Sequence, residues 1–163
     1  MTGPPMMLEM RERPRLAPPR PHRPGMLLRV ETPTPRFYEY LTTTLIGAWP
    51  PSPERALSPE ELVDLFAGDA VEVYALYMAG EPIGCFEIER TAPDRIDLVH
   101  FGLADEHRDG VLAKHLLAAA VDAAWAAEPD VVGVRLGASA TPRDVLLYQW
   151  AGFEVVPMEE AAG

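Results

Sequence analysis

Between residues 97 and 116 the chain brings together two glycines, several charges and the start of an apolar helical pattern. ADEHRDG (104–110) is a polar loop of mixed acid and base, set between a strand-like run ending at Leu103 and the longest helical pattern of the chain. Such a loop leaves main-chain N–H groups beside the positive end of a helix, which makes an anion site suited to a pyrophosphate. Side chains that can handle protons precede it. Asp97 and His100 fall on the strand before the loop, and Glu87 and Glu89 on the strand before that. A carboxylate on a half-buried strand can accept a proton, and imidazole is the side chain suited to proton transfer near neutral pH. Glu87 and Glu89 carry the charge to hold a cationic ligand. Further along, the phenol of Tyr148 can donate a proton. Cys85, the only cysteine, sits mid-strand among apolar neighbours and reads as a small hydrophobe. The four histidines, His22, His100, His107 and His115, lack the spacing of a metal site.

The elements that must position these groups follow from periodicity. MLLRV (26–30) suits a strand, and Phe37, Tyr40, Leu41 and Leu45 mark a helix over 37–46. AWPPSPE (48–54) is a proline-rich loop. Ser58-Pro59-Glu60-Glu61 starts a second helix, with Ser58 as cap and Glu61 closing a capping box. VEVYALYMA (71–79) and IGCFEIER (83–90) alternate as a hairpin turned by GEP (80–82), and RIDLVHFGL (95–103) is a third strand of the same kind. A helix over 111–127 and a buried strand over 131–137 complete a βαβ unit, so strands 95–103 and 131–137 should be parallel. Thr141-Pro142-Arg143-Asp144 caps a last helix that ends at Gly152, and FEVVP (153–157) is the final strand. The expected fold is α/β: a mixed, mostly antiparallel sheet of about six strands flanked by about four helices, splayed at the 95–103/131–137 pair.

Length and charge set the frame. The chain has 163 residues, enough for one domain, and 48% of them are hydrophobic. Residues 1–25 are dominated by proline and arginine without apolar period, which predicts a disordered tail ahead of a single domain over 26–163, with Met26 as its natural beginning. The net charge is −11, yet residues 1–36 carry seven arginines against three glutamates. The acidic body argues against nucleic acid as a partner and favours cationic substrates such as amines. No apolar run spans a bilayer, no signal peptide is evident and no internal disulfide can form, so a cytoplasmic protein without a membrane partner is expected.

Two stretches carry a more specific likeness. FGLADEHRDGVLAKHLLAAAVDAAW (101–125) runs strand, loop and helix together, and LYQWAGF (147–153) has Leu-Tyr followed by Gly-Phe. Together with the hairpin GEPIGCFEIER they resemble the GNAT acetyltransferase superfamily over roughly residues 26–157, and FGL and FYEYL (37–41) are similar to an uncharacterised bacterial subgroup. The resemblance implies acetyl-CoA as cosubstrate and transfer of an acetyl group to a primary amine by direct attack in a ternary complex. It also implies that the backbone of Phe101, Gly102 and Leu103 pairs with pantetheine. The amides of Arg108, Asp109, Gly110, Val111, Leu112 and Ala113, with the Lys114 charge, take the pyrophosphate. By the same likeness Asp97, eleven places before Arg108, is the first candidate base and Tyr148 the acid for the leaving thiolate; His100, on the opposite face of the strand, is a second candidate base on the suitability of imidazole alone. Many members are dimers, so a homodimer is a further expectation.

The loop departs from the family pattern in one respect. Val111 stands where the family has glycine, and Gly110 comes one place early. A Cβ at that point is expected to narrow the cradle, so Val111→Gly should tighten acetyl-CoA binding. Asp109 adds negative charge beside the phosphates. These two residues motivate the alternative of a degenerate member that binds a ligand or protein without turnover. A third reading places the working part in the Pro/Arg tail.

Overall fold

The computed structural model describes residues 5–23, 25–47, 49, 57–108, 110–137 and 139–157. Apart from Trp49, the proline-rich loop expected over 48–54 lies outside the described residues, as does Asp109.

The sheet has seven strands rather than six: β1 (Met6–Met10), β2 (Met26–Val30), β3 (Val71–Met78), β4 (Glu81–Ala92), β5 (Arg95–Leu103), β6 (Val131–Leu136) and β7 (Glu154–Val156). Their spatial order is β2-β3-β4-β5-β6-β1-β7. Every neighbouring pair is antiparallel except β5–β6, which is parallel as the βαβ unit requires. The β3–β4 hairpin turns on Ala79 and Gly80, with Met78 already opposite Glu81, so the turn sits one residue earlier than expected. Both turn residues have positive φ (54° and 83°), as a two-residue turn matching the strand twist demands.

The extra strand corrects the expected disordered tail. Met6–Met10 lies inside the sheet, antiparallel to β6 on one side and to β7 on the other. Leu8 and Met10 are buried in the main core, and the Trp125 indole donates to the Met10 sulfur at 3.1 Å. Residues 11–25 then connect the sixth position of the sheet to the first, with Leu16 packed against the core on the way.

Helices cover both faces. On one lie α3 (Val111–Trp125) and α4 (Pro142–Trp150), which enclose the main cluster with Phe86, Ile88, Leu98, Phe101, Val132 and Val134. On the other lie α1 (Pro35–Tyr40), a π-helical segment (Leu41–Ile46) that continues it, and α2 (Pro59–Phe66). These close a smaller cluster over Val73, Ala75 and Cys85. Local capping sets the helix starts. Thr34 accepts from the Phe37 amide ahead of Pro35, and the Ser58–Glu61 and Thr141–Asp144 boxes are both formed in each direction. Gly152 follows α4 at φ 109°, a backbone angle that suits glycine.

Two features of β5 position the site. Its pairing with β6 covers only Arg95–Leu98, whereas β5 continues beside β4 to Leu103 and β6 stays with β1 to Leu136. The two strands therefore diverge past Leu98 and Val134. At that same point the β4–β5 register slips, leaving Val99 as a bulge between the pairs Ile88↔Leu98 and Glu87↔His100. No described helix is long and apolar enough to cross a membrane.

Candidate active site

Beyond the divergence, β5 leads through Ala104 and a short 3-10 turn (Asp105–His107) to Gly110, the N-cap of α3. Gly110 is extended (φ −93°, ψ 179°) and has no side chain to cap the helix, so among the described residues no cap side chain takes the first-turn amides of α3. Val111 is the first helical residue. It is 44% exposed and forms no part of the adjoining cavity, whose α3 wall is Gly110, Ala113 and Lys114. The early glycine takes the cap position and turns the Val111 side chain away, so the narrowing expected from valine does not occur. The side chain of Leu112, whose amide the resemblance places at the pyrophosphate, is buried in the main core.

That cavity has a volume of about 460 Å³. Arg143, Leu146, Leu147 and Trp150 of α4 face the α3 wall across it, and Arg108 and Trp49 close one end. Three cationic side chains, Arg108, Lys114 and Arg143, thus line one cavity in a chain of net charge −11. The Arg108 guanidinium lies 4.9 Å from the centre of the Trp49 ring, and the Lys114 ammonium 5.1 Å from that of Trp150. Among the described residues the one carboxylate in the wall is Asp144, and it is occupied: it accepts from the Thr141 amide (2.7 Å) and hydroxyl (2.9 Å). The arrangement favours a polyanion bearing an apolar or aromatic portion. Among the described residues, no three His, Cys, Asp or Glu side chains converge as metal ligands.

Below the cavity runs a chain of rings: Trp49 to Phe101 (5.7 Å between centroids), Phe101 to Tyr148 (6.2 Å) and Tyr148 to Phe153 (5.9 Å). Tyr148 is 1% exposed and does not line the cavity. Burial, and secondarily the Asp144 charge, pushes its phenol well above the usual range, so it keeps its proton. Phe101 and Leu103 are also wholly buried, so their side chains serve the core. Gly102 faces the other way: a Cβ there would come within 2.7 Å of the Ile46 Cα and the Leu45 carbonyl, so glycine is what lets the π-helical segment cross β5.

The proton-handling candidates separate into two groups. Glu87 and His100 are cross-strand partners under α1, each 2% exposed. The Tyr38 hydroxyl donates to Glu87 Oε1 at 2.7 Å, and His100 Nδ1 lies 3.5 Å from Glu87 Oε2 without a hydrogen bond. Glu87 is therefore not the surface contact for an acceptor that its alternating strand position suggested; α1 and the π-helical segment cover it. Cys85, on the same face, is buried, and desolvation pushes its thiol up, as expected of an inert residue.

Asp97 lies on the paired part of β5, opposite Gly133, short of the divergence. Its Oδ2 accepts from the Thr91 hydroxyl at 2.5 Å, and both oxygens accept from Arg95 Nε at 3.1 Å. Arg95 reaches on to the buried Glu9 of β1 and to the Met7 sulfur. The guanidinium passes over Gly133, where any Cβ would collide with it. The geometry makes Asp97 a member of an ion-pair bridge across β5, β6 and β1, not an available base. Glu89 is its half-buried cross-strand neighbour, away from the cavity. Trp49, Arg143 and Tyr38 were not distinguished in the sequence. Tyr38 and Trp49 owe their place to contacts far along the chain, with Glu87 and with Arg108 and Phe101, and Arg143 shares the cavity wall with Lys114.

No family model matches the sequence, and no curated protein matches it. Solved structures do. An assigned GNAT acetyltransferase from Novosphingobium aromaticivorans superposes with a TM-score of 0.62 at 20% identity, over 94% of this chain and 60% of that one. An acetyltransferase from Bacillus subtilis in complex with CoA gives 0.54 at 18% identity, over 80% and 77%. An IAA acetyltransferase from Bacillus cereus gives 0.55 at 17% identity, over 81% and 78%. The chain thus spans well under two thirds of the Novosphingobium protein. Its fold is that of the GNAT acetyltransferases, as the diverging parallel pair and the strand–loop–helix motif implied.

Proposed function

We propose that this chain is an acetyl-CoA-dependent N-acetyltransferase acting on a primary amine. The observation that carries the reading is the cavity between α3 and α4, where Arg108, Lys114 and Arg143 share the wall with Gly110, the N-cap of α3. That donor set fits the phosphates of a CoA molecule, and Leu146, Leu147 and Trp150 offer apolar surface beside them. The Bacillus subtilis protein of this fold was solved with CoA, which supports the choice of ligand. Acetyl-CoA supplies the acyl group and a thiol leaving group.

The chain's own residues divide the remaining work. Arg108, Lys114 and Arg143 bind and orient. Tyr148, held protonated by burial, is the donor toward the sulfur. His100, two residues past the last β5–β6 pair and covered with Glu87 by α1, is the base for an amine that enters from the α1 face of the sheet: its imidazole takes the ammonium proton and Glu87 steadies the resulting charge. Calorimetry with acetyl-CoA tests the binding half, and an acetyl-transfer screen across polyamines, amino acids, aminoglycosides and peptides tests the rest. Absence of binding at high ligand concentration rejects the reading. One observation favours the second reading of a binder without turnover: Tyr148, Glu87 and His100 are all buried. Tight CoA binding with no transfer to any amine in the screen would establish it.

A further inference from the structure

Two buried side-chain polar atoms among the described residues have no hydrogen-bond partner: His100 Nδ1 and Trp49 Nε1. A buried, unmatched donor is costly, so each of the two calls for a partner. The His100 imidazole sits beside a carboxylate; the Trp49 indole has nothing. Trp49 is only 4% exposed, yet it belongs to the cavity wall. One face of its ring carries Arg108, and the ring meets Phe101 edge-on (71° between planes). The residue therefore joins the cationic end of the cavity to the aromatic floor at β5, the strand that diverges from β6.

We infer that the Trp49 indole N–H is a ligand-binding donor, and that its acceptor is a carbonyl oxygen of the pantetheine–thioester arm. Indole can only donate, so the phosphates and the arm carbonyls are the acceptors to weigh. The phosphates are matched by Arg108, Lys114 and Arg143, with Arg108 stacked on the ring face, whereas an in-plane N–H emerges from the ring edge. That edge is left for the uncharged, carbonyl-bearing part of the ligand. The inference rests on the acetyl-CoA reading and adds to it. It gives Trp49 two separable duties: a platform for Arg108 and a donor to the arm.

The two duties can be divided by substitution. Trp49→Phe keeps an aromatic face and loses the N–H; Trp49→Leu loses both. Calorimetry would use CoA and ADP, the latter carrying the diphosphate without the arm. Trp49→Phe should weaken CoA binding about fivefold, the worth of one neutral hydrogen bond, and leave ADP binding unchanged. Trp49→Leu should weaken both. Unchanged CoA affinity in Trp49→Phe overturns the inference, as does an equal loss for CoA and ADP, which would route the effect through Arg108. In the wild-type protein, the Trp49 indole N–H resonance should move on addition of CoA and stay with ADP. That measurement decides the matter even where a variant fails to fold, and a resonance blind to CoA overturns the inference. Wild-type protein that binds neither ligand refutes the acetyl-CoA reading itself and this inference with it.

Discussion

Arg95 is shared between Asp97 on its own strand and Glu9 on β1, and the sharing defines what Asp97 can do. Both Asp97 oxygens already accept charge-assisted hydrogen bonds, and burial of the bridge keeps them there. Asp97→Asn should therefore lower Tm by a few degrees, roughly 1 kcal/mol, and leave kcat within about twofold. His100→Gln should do the reverse, with kcat falling by about a hundredfold at little cost in Tm. A large kcat loss in Asp97→Asn would return the base role to that residue. Tyr148 gives a pH prediction. Its folded-state pKa is raised, so the native protein holds a proton that the unfolded chain releases near the ordinary tyrosine value of about 10. The associated stability is complete below that pH and is lost as pH climbs toward the folded value. Tyr148→Phe removes that share. Thermal melts from pH 8 to 11 should show a shallower alkaline decline in the variant than in the wild type. At neutral pH, acetyl-CoA affinity should be retained in Tyr148→Phe while kcat falls. Equal kinetics would remove the phenol from the chemistry.

The π-helical segment meets β5 at Gly102, where Leu45 and Ile46 backbone atoms occupy the space a side chain would need. Backbone cannot move aside as a flexible side chain can. Gly102→Ala should cost about 1–3 kcal/mol and shift the segment, seen as a lower Tm and as amide exchange quickened in residues 41–46. A neutral substitution would mean the crossing is looser than the packing shows. At the head of α3, Val111 points to solvent, so Val111→Gly should leave acetyl-CoA affinity unchanged and lower stability by a few tenths of a kcal/mol. Tighter binding would restore valine as an obstruction. These two positions also show what can be read from a sequence. Cap boxes such as Ser58–Glu61 and Thr141–Asp144 are contacts three residues apart, and they were legible for that reason. The βαβ unit and the anion loop were legible because strand, loop and helix adjoin. The consequence of Gly110 preceding Val111 was not, because it depends on which residue becomes the cap. Trp49 and Arg143 were not, because only the folded chain sets them around Arg108 and Lys114.

At the scale of the whole molecule the N-terminal strand governs integrity. Its composition hid it: five residues, none β-branched, precede a Pro/Arg stretch, and the acid in their midst finds its base 86 residues away. Read alone, Glu9 is a solvated charge; in the sheet it is buried against Arg95, and β1 fills the place between β6 and β7. Removing residues 1–25 would leave β6 and β7 separated by the width of a strand, Arg95 without Glu9, and the Trp125 indole without its sulfur acceptor. Leu8 and Met10 alone contribute about 1.5–3 kcal/mol each by burial, comparable with the whole margin of a small domain. The truncated chain should therefore lose its cooperative melt and bind no acetyl-CoA, even though every cavity residue is retained. A synthetic peptide covering residues 4–16, added in trans, should pair into the vacant place and restore both. Full activity and an unchanged Tm in the truncated protein would show that β1 is dispensable and that the working unit begins at β2. Loss of both properties without rescue by the peptide would mean that residues 17–25, which carry the chain back to β2, must hold the strand in place covalently.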